Sequence, residues 1–444
     1  MRNVLTKGAT MNNAPSAKAP HGGLRTDSAA HARPYDLAAG LVMLTIWAIW
    51  MVRYCWGHWP PDLSALYLAA YFFAESQPGE IYASAAQFFS EEPPAFWAQA
   101  LTALGHEGAR TFPYLYPPLW AALFAPVAQG SDMIAVSNLI YLWHALCLVL
   151  TPVLAYRIMQ PPLRFSLFAA LTAGLYATSA IVFEGIYQNQ IQITVIALTL
   201  LAFERVLHGR PIAGGVALGL AAALKLSPIV LLVVLALHRQ TRAIAACLAV
   251  LAGCVWLSIA LAGWDLHRAY LEQLQHFRGQ LLILSVNISI KPVLFQGWEL
   301  LQGRPMPAVS DVMLVLDAPS WLDQTVTAIF ALGLAAILWG TRQQHGRQAL
   351  RNRLVAVSLW AALCGPVAWL HHYIGILMLV PGLVALLAPA LSIALLAAFA
   401  GYFGSAYYYD LYALFPAVDL SLPIAVAIMG ALVWAFARAG TKPG

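Results

Sequence analysis

The chain has 444 residues, of which 61% are hydrophobic and only 10% are charged, whereas about a quarter are charged in an ordinary soluble domain. So much apolar surface excludes a water-soluble protein with an ordinary core. The net charge of +5 comes from short basic clusters between apolar blocks, a pattern that orients membrane proteins and does not indicate nucleic-acid binding.

The first 34 residues are polar, rich in Ala, Gly, Pro and Ser, and carry five basic residues. This composition predicts a disordered cytoplasmic tail. The first apolar block starts too far along the chain, and is too long, for a cleaved signal peptide, so we expect it to be retained as the first helix. Residues 439–444 are predicted to form a second short tail, and 35–438 a single transmembrane domain.

The apolar blocks have helical lengths, which predicts an all-α polytopic membrane protein with about twelve transmembrane helices. The blocks lie at about 36–54, 113–128, 131–156, 165–183, 188–206, 211–237, 242–262, 323–341, 354–370, 373–388, 391–408 and 420–437. Two long segments, 55–112 and 263–322, interrupt them. Each contains a weaker amphipathic stretch, Ser64–Ala74 and Ala269–Leu284, which we expect to lie in the membrane interface.

The distribution of Lys and Arg predicts the orientation. A basic N-terminal tail and the cluster from Arg342 to Arg353 belong inside, which places both long segments outside the cytoplasmic membrane. Block 211–237 does not fit simple alternation, because basic loops flank it on both sides. Either the positive-inside rule fails once here, or the block bends back at Lys225–Pro228 as two half-helices.

Asp62 stands at the head of the acidic first outer segment, directly after Pro60 and Pro61. One interpretation is a helix N-cap, because Pro-Pro-Asp suits a helix start. The other is a general base that deprotonates an acceptor hydroxyl as it attacks a sugar carbon. The two roles are compatible.

His371 and His372 lie between two apolar blocks on the same outer side. They indicate either an interfacial belt of polar-tipped rings or a site that hydrogen-bonds a donor phosphate or moves a proton. Lys225 stands midway along an apolar block, where a charge is a functional-site candidate by default, although snorkelling or a structural pair is an alternative. The nearby Gly215 and Gly219 more often mark tight helix packing.

Other candidates are polar or aromatic side chains at helix entries and in the outer segments. Gln188, Asn189 and Gln190 could grip sugar hydroxyls or simply form a polar loop. Tyr116 belongs to an aromatic, Pro-rich stretch that is typical of an interface anchor. Lys291 and Arg304 could neutralise a lipid phosphate, or be solvated loop charges. The five cysteines have no metal-ligand spacing and are expected to be buried free thiols.

Several stretches together resemble glycosyltransferase family 87, the polyprenol-phosphate-mannose-dependent mannosyltransferases of the GT-C superfamily. They are Tyr-Leu-Tyr-Pro-Pro-Leu-Trp at 114–120, Tyr-Gln-Asn-Gln at 187–190, the run from His208 to Leu-Lys-Leu-Ser-Pro at 224–228, and Trp-Leu-His-His-Tyr at 369–373. The resemblance covers most of residues 36–410. It implies a GT-C fold, a polyprenyl-phosphate sugar donor, inverting transfer and no metal or other cofactor. By position, Asp62 matches the family's catalytic aspartate, His371 or His372 its active-site histidine, and Lys225 its Lys–Pro feature.

The resulting hypothesis is an integral-membrane transferase that moves a sugar, expected to be mannose, from a polyprenyl phosphate to a lipid or glycan hydroxyl outside the cytoplasmic membrane. Its partners are these two substrates and membrane lipids. Two alternatives stay open: a transporter or flippase of lipid-linked sugars, and a non-catalytic subunit in which Asp62 is only a cap.

Overall fold

The computed structural model describes residues 34–83, 93–305, 314–414 and 420–438. The predicted tails therefore lie outside the described residues, apart from Pro34, which begins the first helix. Glu91 and Glu92 of the acidic outer segment lie outside them as well.

The first half of the described chain is helical. Its helices are α1 (Pro34–Cys55), α2 (Pro61–Ala74), α3 (Ala95–Ala103), α4 (Pro118–Gly130), α5 (Met133–Met159), α6 (Phe165–Thr178), α7 (Ala180–Tyr187), α8 (Gln192–Leu207) and α9 (Pro211–Leu224). Proline begins α2, α4 and α9, since its fixed φ suits the first helical turn and its missing N–H has no intrahelical partner there. Asp132 caps α5 by accepting from the backbone N–H of Ala135 at 3.0 Å.

The second half adds further helices and two short strands. They are α10 (Leu231–Leu237), α11 (Thr241–Arg278), β1 (Gln280–Ile283), α12 (Ile290–Leu301), β2 (Leu314–Asp317), α13 (Ser320–Gly340), α14 (Gly346–Leu363), α15 (Ile374–Leu379), α16 (Pro389–Tyr402) and α17 (Ser421–Arg438). Short 3₁₀ turns occupy Pro78–Glu80, Ser227–Val230, Leu370–Tyr373, Val380–Ala385 and Tyr408–Leu414.

The strands β1 and β2 were not expected from the sequence. They pair antiparallel, with Gln280 opposite Asp317 and Ile283 opposite Leu314. The predicted amphipathic stretch Ala269–Leu284 therefore ends as a helix at Arg278, and its last apolar residues form a buried strand. A run of four apolar residues does not distinguish a strand from a helix end, which explains the difference.

Five of the described helices are long and apolar enough to cross a membrane, namely α1, α5, α11, α13 and α17. The pair α7 and α8, bent by 118° at its break, adds a sixth if it is one span. Shorter apolar helices include α6, α9 and α16. Large apolar side chains such as Ile46 and Trp256 face outward, as expected where lipid is the solvent. The chain is thus an all-α, multi-pass membrane protein.

Block 211–237 is broken where the sequence offered that alternative. Helix α9 ends at Leu224, Lys225 is extended (φ −149°, ψ 123°), and a 3₁₀ turn follows over Ser227–Val230. Pro228 favours this break, because it lacks a backbone N–H and disfavours helical geometry in the residue before it.

The two ends of this broken block lie on one face of the protein. Before the block, His208 is hydrogen-bonded through Nε2 to Arg347 at 3.1 Å. After it, His238 is hydrogen-bonded through Nε2 to Arg353 at 3.1 Å. Both arginines belong to the first two turns of α14, so the block turns back at Lys225. This arrangement puts both basic loops on one face of the protein, which agrees with the second of the two alternatives from the sequence.

The returning block packs tightly on α11 through glycines. A methyl group added at Gly215 would overlap the carbonyl oxygen of Ala243, and one added at Gly219 would lie 2.9 Å from the carbonyl oxygen of Cys247. The absence of a side chain therefore sets the close approach of α9 to α11, which confirms the packing interpretation of these two glycines.

We expect Gly215→Ala to lower the free energy of unfolding by about 1–3 kcal/mol, because the new methyl group forces the two backbones apart. The midpoint of thermal unfolding in detergent would report this loss. Gly253→Ala is the matched control, since Gly253 lies on the partner helix α11 with open space around it. Equal midpoints for the two variants would contradict the packing role.

Candidate active site

One large cavity, of about 1170 Å³, gathers residues that are far apart in the sequence. Its walls come from the start of α2, the loop before α4, the α7–α8 junction, the break at Lys225, the end of α11 and the turn before α15. Most of the residues predicted from sequence line it: Asp62, Tyr116, Gln188, Gln190, Lys225, Lys291, His371 and His372. Asn189 and Arg304 are absent from this lining.

Asp62 lies in the first turn of α2 and does not cap it. The N-cap position belongs to Pro60, and no side chain in the described part of the chain makes a capping bond to this helix start. Instead, Ser64 fixes the helix start by donating to the carbonyl of Pro61 at 2.6 Å and to the Thr111 hydroxyl at 2.8 Å. The Asp62 carboxylate is left directed at the cavity.

The surroundings of Asp62 favour a base. Burial raises the pKa of its carboxyl above the usual aspartate value, the positive charge of Lys225 opposes that rise, and the negative charge of Glu184 adds to it. A carboxylate with a raised pKa takes a proton more readily than an exposed one, which is what a general base near neutral pH requires.

Lys225 reaches the cavity because the helix breaks there. Its Nζ lies 2.7 Å from Nε2 of His372. Since an ammonium group only donates, Nε2 is the acceptor and the ring proton is on Nδ1. The break in the block thus places a cation and an imidazole side by side at the tip of the returning segment.

His371 is packed edge-to-face against His372, with ring centroids 4.9 Å apart. Its side chain is 3% exposed, and neither ring nitrogen has a hydrogen-bond partner within the described residues. A buried polar group without a partner is costly. His371 is therefore available to hydrogen-bond a molecule in the cavity.

Glu184 is a cavity residue that was not among the candidates predicted from the sequence. Its carboxylate accepts from the Tyr409 hydroxyl at 3.1 Å and from the Gln188 side-chain amide at 3.2 Å. A charge within an apolar run was the available signal, the same one that singled out Lys225.

The three predicted amide side chains are used differently. Gln190 accepts from the Tyr116 hydroxyl at 3.4 Å and lines the cavity. Asn189 is fully buried in a left-handed conformation (φ 48°). Its Oδ1 is hydrogen-bonded to Nδ1 of His144 at 2.8 Å, and its amide donates to the carbonyl of Ser137 at 3.0 Å. Asn189 thus holds the loop and reaches only a small side cavity of about 80 Å³.

The two basic residues predicted in the second outer segment are already bonded. Lys291 is 1% exposed, donates to the carbonyls of Arg278 at 3.0 Å and Gln280 at 2.8 Å, and pairs with Asp323 at 2.8 Å. These bonds use all three donors of its ammonium group. Arg304 forms a two-bond pair with Glu299 at the surface, at 2.5 and 2.6 Å.

The remaining wall of the cavity is apolar. It runs between α8 and α14 beside α10, and its side chains include Ile196, Leu200, Phe203, Val355 and Leu359. Within the described residues, no group of three or more His, Cys, Asp or Glu side chains is arranged to hold a metal ion. The cavity therefore has a polar end, which holds carboxyl, imidazole and ammonium groups, and an apolar arm lined by these hydrophobic side chains.

The profile of Glycosyltransferase family 87 matches residues 114–370 of this chain. The chain belongs to glycosyltransferase family 87. The matched stretch contains the Lys225 break and the amide loop, whereas Asp62 and the two histidines lie outside it.

Two curated relatives are similar in sequence. A polyprenol-phosphate-mannose-dependent alpha-(1-2)-phosphatidylinositol mannoside mannosyltransferase of Mycobacterium tuberculosis is 29% identical over 276 residues, which is 60% of either chain. The protein of the same name from Mycolicibacterium smegmatis is 28% identical over 288 residues, 61% of either chain. The match thus spans about three fifths of the length of these relatives.

We expect Lys291→Met to destabilise the protein by about 3–5 kcal/mol, because it leaves two carbonyls and the Asp323 carboxylate without their buried partner. Thermal unfolding in detergent measures this effect. Arg304→Met, which removes a surface pair, should leave the unfolding midpoint nearly unchanged, because exposed ion pairs contribute little to stability. If Lys291→Met keeps the native unfolding midpoint, the anchoring role of Lys291 is wrong.

Proposed function

We propose that the protein is an integral-membrane mannosyltransferase, which moves mannose from a polyprenyl phosphate to a hydroxyl of a lipid or glycan acceptor. The observation that carries this proposal is the single cavity that joins Asp62, the Lys225–His372 pair and an apolar arm. Membership of glycosyltransferase family 87 and the names of the two relatives support the reaction and the donor. A phosphatidylinositol mannoside, the acceptor in those names, is the first acceptor to test.

The reaction is a direct, inverting displacement. The acceptor oxygen attacks the anomeric carbon of mannose, and the bond from that carbon to the phosphate oxygen breaks. Asp62 takes the proton from the attacking hydroxyl. Lys225 and the neighbouring imidazoles stabilise the negative charge that develops on the leaving polyprenyl phosphate. No covalent intermediate on the protein is needed.

The apolar arm suits the prenyl chain of the donor. Its lining of Leu, Ile, Val and Phe side chains between α8 and α14 offers a hydrocarbon environment. A donor with its tail in this arm and its phosphate beside Lys225 would present the sugar toward Asp62. The amide of Gln190 and the carboxylate of Glu184 are then placed to bind sugar hydroxyls.

The architecture is proposed to be GT-C-like, in the cytoplasmic membrane, with the cavity mouth on the extracytoplasmic side. The basic residues of α14 and of the two loops bonded to it support this orientation, because Lys and Arg are enriched on the cytoplasmic side of membrane proteins. Lys225 lies in the cavity, at the turn between the two halves of the block whose ends carry these loops. The shorter apolar helices would bring the number of crossings toward the expected total of about twelve.

Purified protein in liposomes, given labelled polyprenyl-phosphate-mannose and a phosphatidylinositol mannoside, tests the proposal. We expect acceptor-dependent loss of donor and a labelled product with one more mannose. Movement of intact donor between leaflets without transfer would instead identify a flippase. Turnover that requires a nucleotide sugar would also contradict the proposal.

We expect Asp62→Asn to lower kcat by about 10²–10⁴-fold, because the amide cannot accept the hydroxyl proton. The unfolding midpoint should not fall, since Asp62 makes no capping bond. Glu75→Gln is the control: Glu75 follows the same helix, is exposed and does not line the cavity. Near-normal turnover by correctly inserted Asp62→Asn would remove Asp62 as the base.

Neutralising the two charges near Asp62 should shift the pH profile in opposite directions. The charge of Lys225 lowers the pKa of Asp62 and that of Glu184 raises it. Activity requires ionised Asp62 and so falls as the pH drops through this pKa. Lys225→Met should move the acidic limb of kcat/KM to higher pH, and Glu184→Gln should move it to lower pH.

Both variants are expected to lose activity, so the comparison rests on the position of the limb and not on the rate. Structural damage gives no reason for shifts of opposite sign. Shifts in the same direction would show that Asp62 is not the group titrating in the profile.

A further inference from the structure

Two arginines that the sequence did not single out lie at the mouth of the cavity. Arg110 and Arg278 both line it, and both are exposed, whereas Lys225 and His371 face its buried end. Neither guanidinium group has a hydrogen bond or ion pair with any residue in the described ranges. We propose that Arg110 and Arg278 form a subsite for the phosphate of an anionic acceptor glycolipid, separate from the donor phosphate at Lys225. This proposal rests on the proposed function.

The backbones that carry these arginines are fixed. The Trp59 indole N–H donates to the carbonyl of Arg110 at 2.6 Å. The carbonyl of Arg278 accepts from the buried Lys291, whose ammonium pairs with Asp323. The chain segments that carry the two arginines also meet. Leu115, which follows Arg110, packs against the apolar cluster that contains Phe277, the residue before Arg278. Two guanidinium groups without a protein partner among the described residues thus lie in the lining of one cavity, on anchored backbones.

The other two cations of the cavity are already engaged, so the two arginines are available to bind a second anion. The basic residues in its lining are Arg110, Lys225, Arg278 and Lys291. All three N–H donors of Lys291 are bonded to other residues of the protein. Lys225 is bonded to His372, and its charge, together with that of Glu184, acts on Asp62. The reacting carbon and the donor phosphate therefore belong beside Lys225.

A polyprenyl phosphate carries one phosphate, and this group must lie at the bond that breaks. A cation pair at the mouth is then free to bind a phosphate that takes no part in the reaction. Arginine suits this role, because its planar group binds phosphate oxygens through two parallel hydrogen bonds. Arg110 is also the one basic residue in a segment, 55–112, that has six acidic residues. The acceptor phosphodiester is the remaining anion of the reaction.

Binding experiments in the Asp62→Asn background test the subsite without turnover. The probes are a phosphatidylinositol mannoside and a neutral diacylglycerol that carries the same mannose residues. Arg110→Gln and Arg278→Gln should each raise the Kd of the phosphate-bearing probe about tenfold, the size of one lost charge-assisted hydrogen bond. The Kd of the neutral probe should not change. Arg268→Gln is the control, because Arg268 lies on α11, is exposed and does not line the cavity.

In the active protein the same two variants should raise the KM of the anionic acceptor and leave the KM of the donor unchanged. A rise in the donor KM instead would assign the arginines to the donor phosphate and overturn the proposal. Equal Kd values of the two probes for the Asp62→Asn protein that retains both arginines would also overturn the proposal. Absence of mannosyl transfer, with selective binding of the phosphate-bearing probe retained, would refute the proposed function while supporting the subsite.

Discussion

The structure depends on a charge placed inside an apolar block. A lysine in the middle of a continuous membrane helix would face lipid, which costs several kcal/mol. Here the helix stops one residue before Lys225, the chain turns, and the ammonium meets His372 in a polar cavity. Because of this turn, the block returns to the face from which it started, and both flanking basic loops contact α14. One buried cation thus sets the local backbone, the path of the chain and the position of the polar end of the cavity.

Much of this arrangement could be predicted from the sequence, because the responsible signals are local. The stretch from Lys225 to Pro228 indicated a break, and a turn there was one of the two explanations for the basic loops on both sides of block 211–237. The helical stretch Ser64–Ala74 also agrees with α2, although this helix begins earlier, at Pro61, so that Asp62 lies within its first turn. Most of the predicted polar residues line one cavity, since buried polar groups in a membrane protein gather where water or substrate replaces lipid.

The remaining features depend on partners that are distant in the chain. Lys291 was predicted either to neutralise a lipid phosphate or to be a solvated loop charge. It is instead buried against Asp323, which lies beyond β2 in the next long helix. Asn189 is engaged by His144 and Ser137 of α5, and no pattern near Asn189 indicates this. The strand pair β1–β2 joins residues more than thirty positions apart along the chain. No local pattern distinguishes Arg110 and Arg278 from other charges in the outer segments, which are usually solvated.

The apolar arm between α8 and α14 has a consequence for how such a reaction is measured. A substrate whose tail occupies that arm arrives by diffusion within the bilayer, in two dimensions. Its effective concentration is the number of donor molecules per lipid and not per litre of buffer. Adding inert phospholipid would then slow the enzyme at constant total volume, whereas adding water would not. For the proposed donor, the membrane is the solvent of the substrate as well as of the protein.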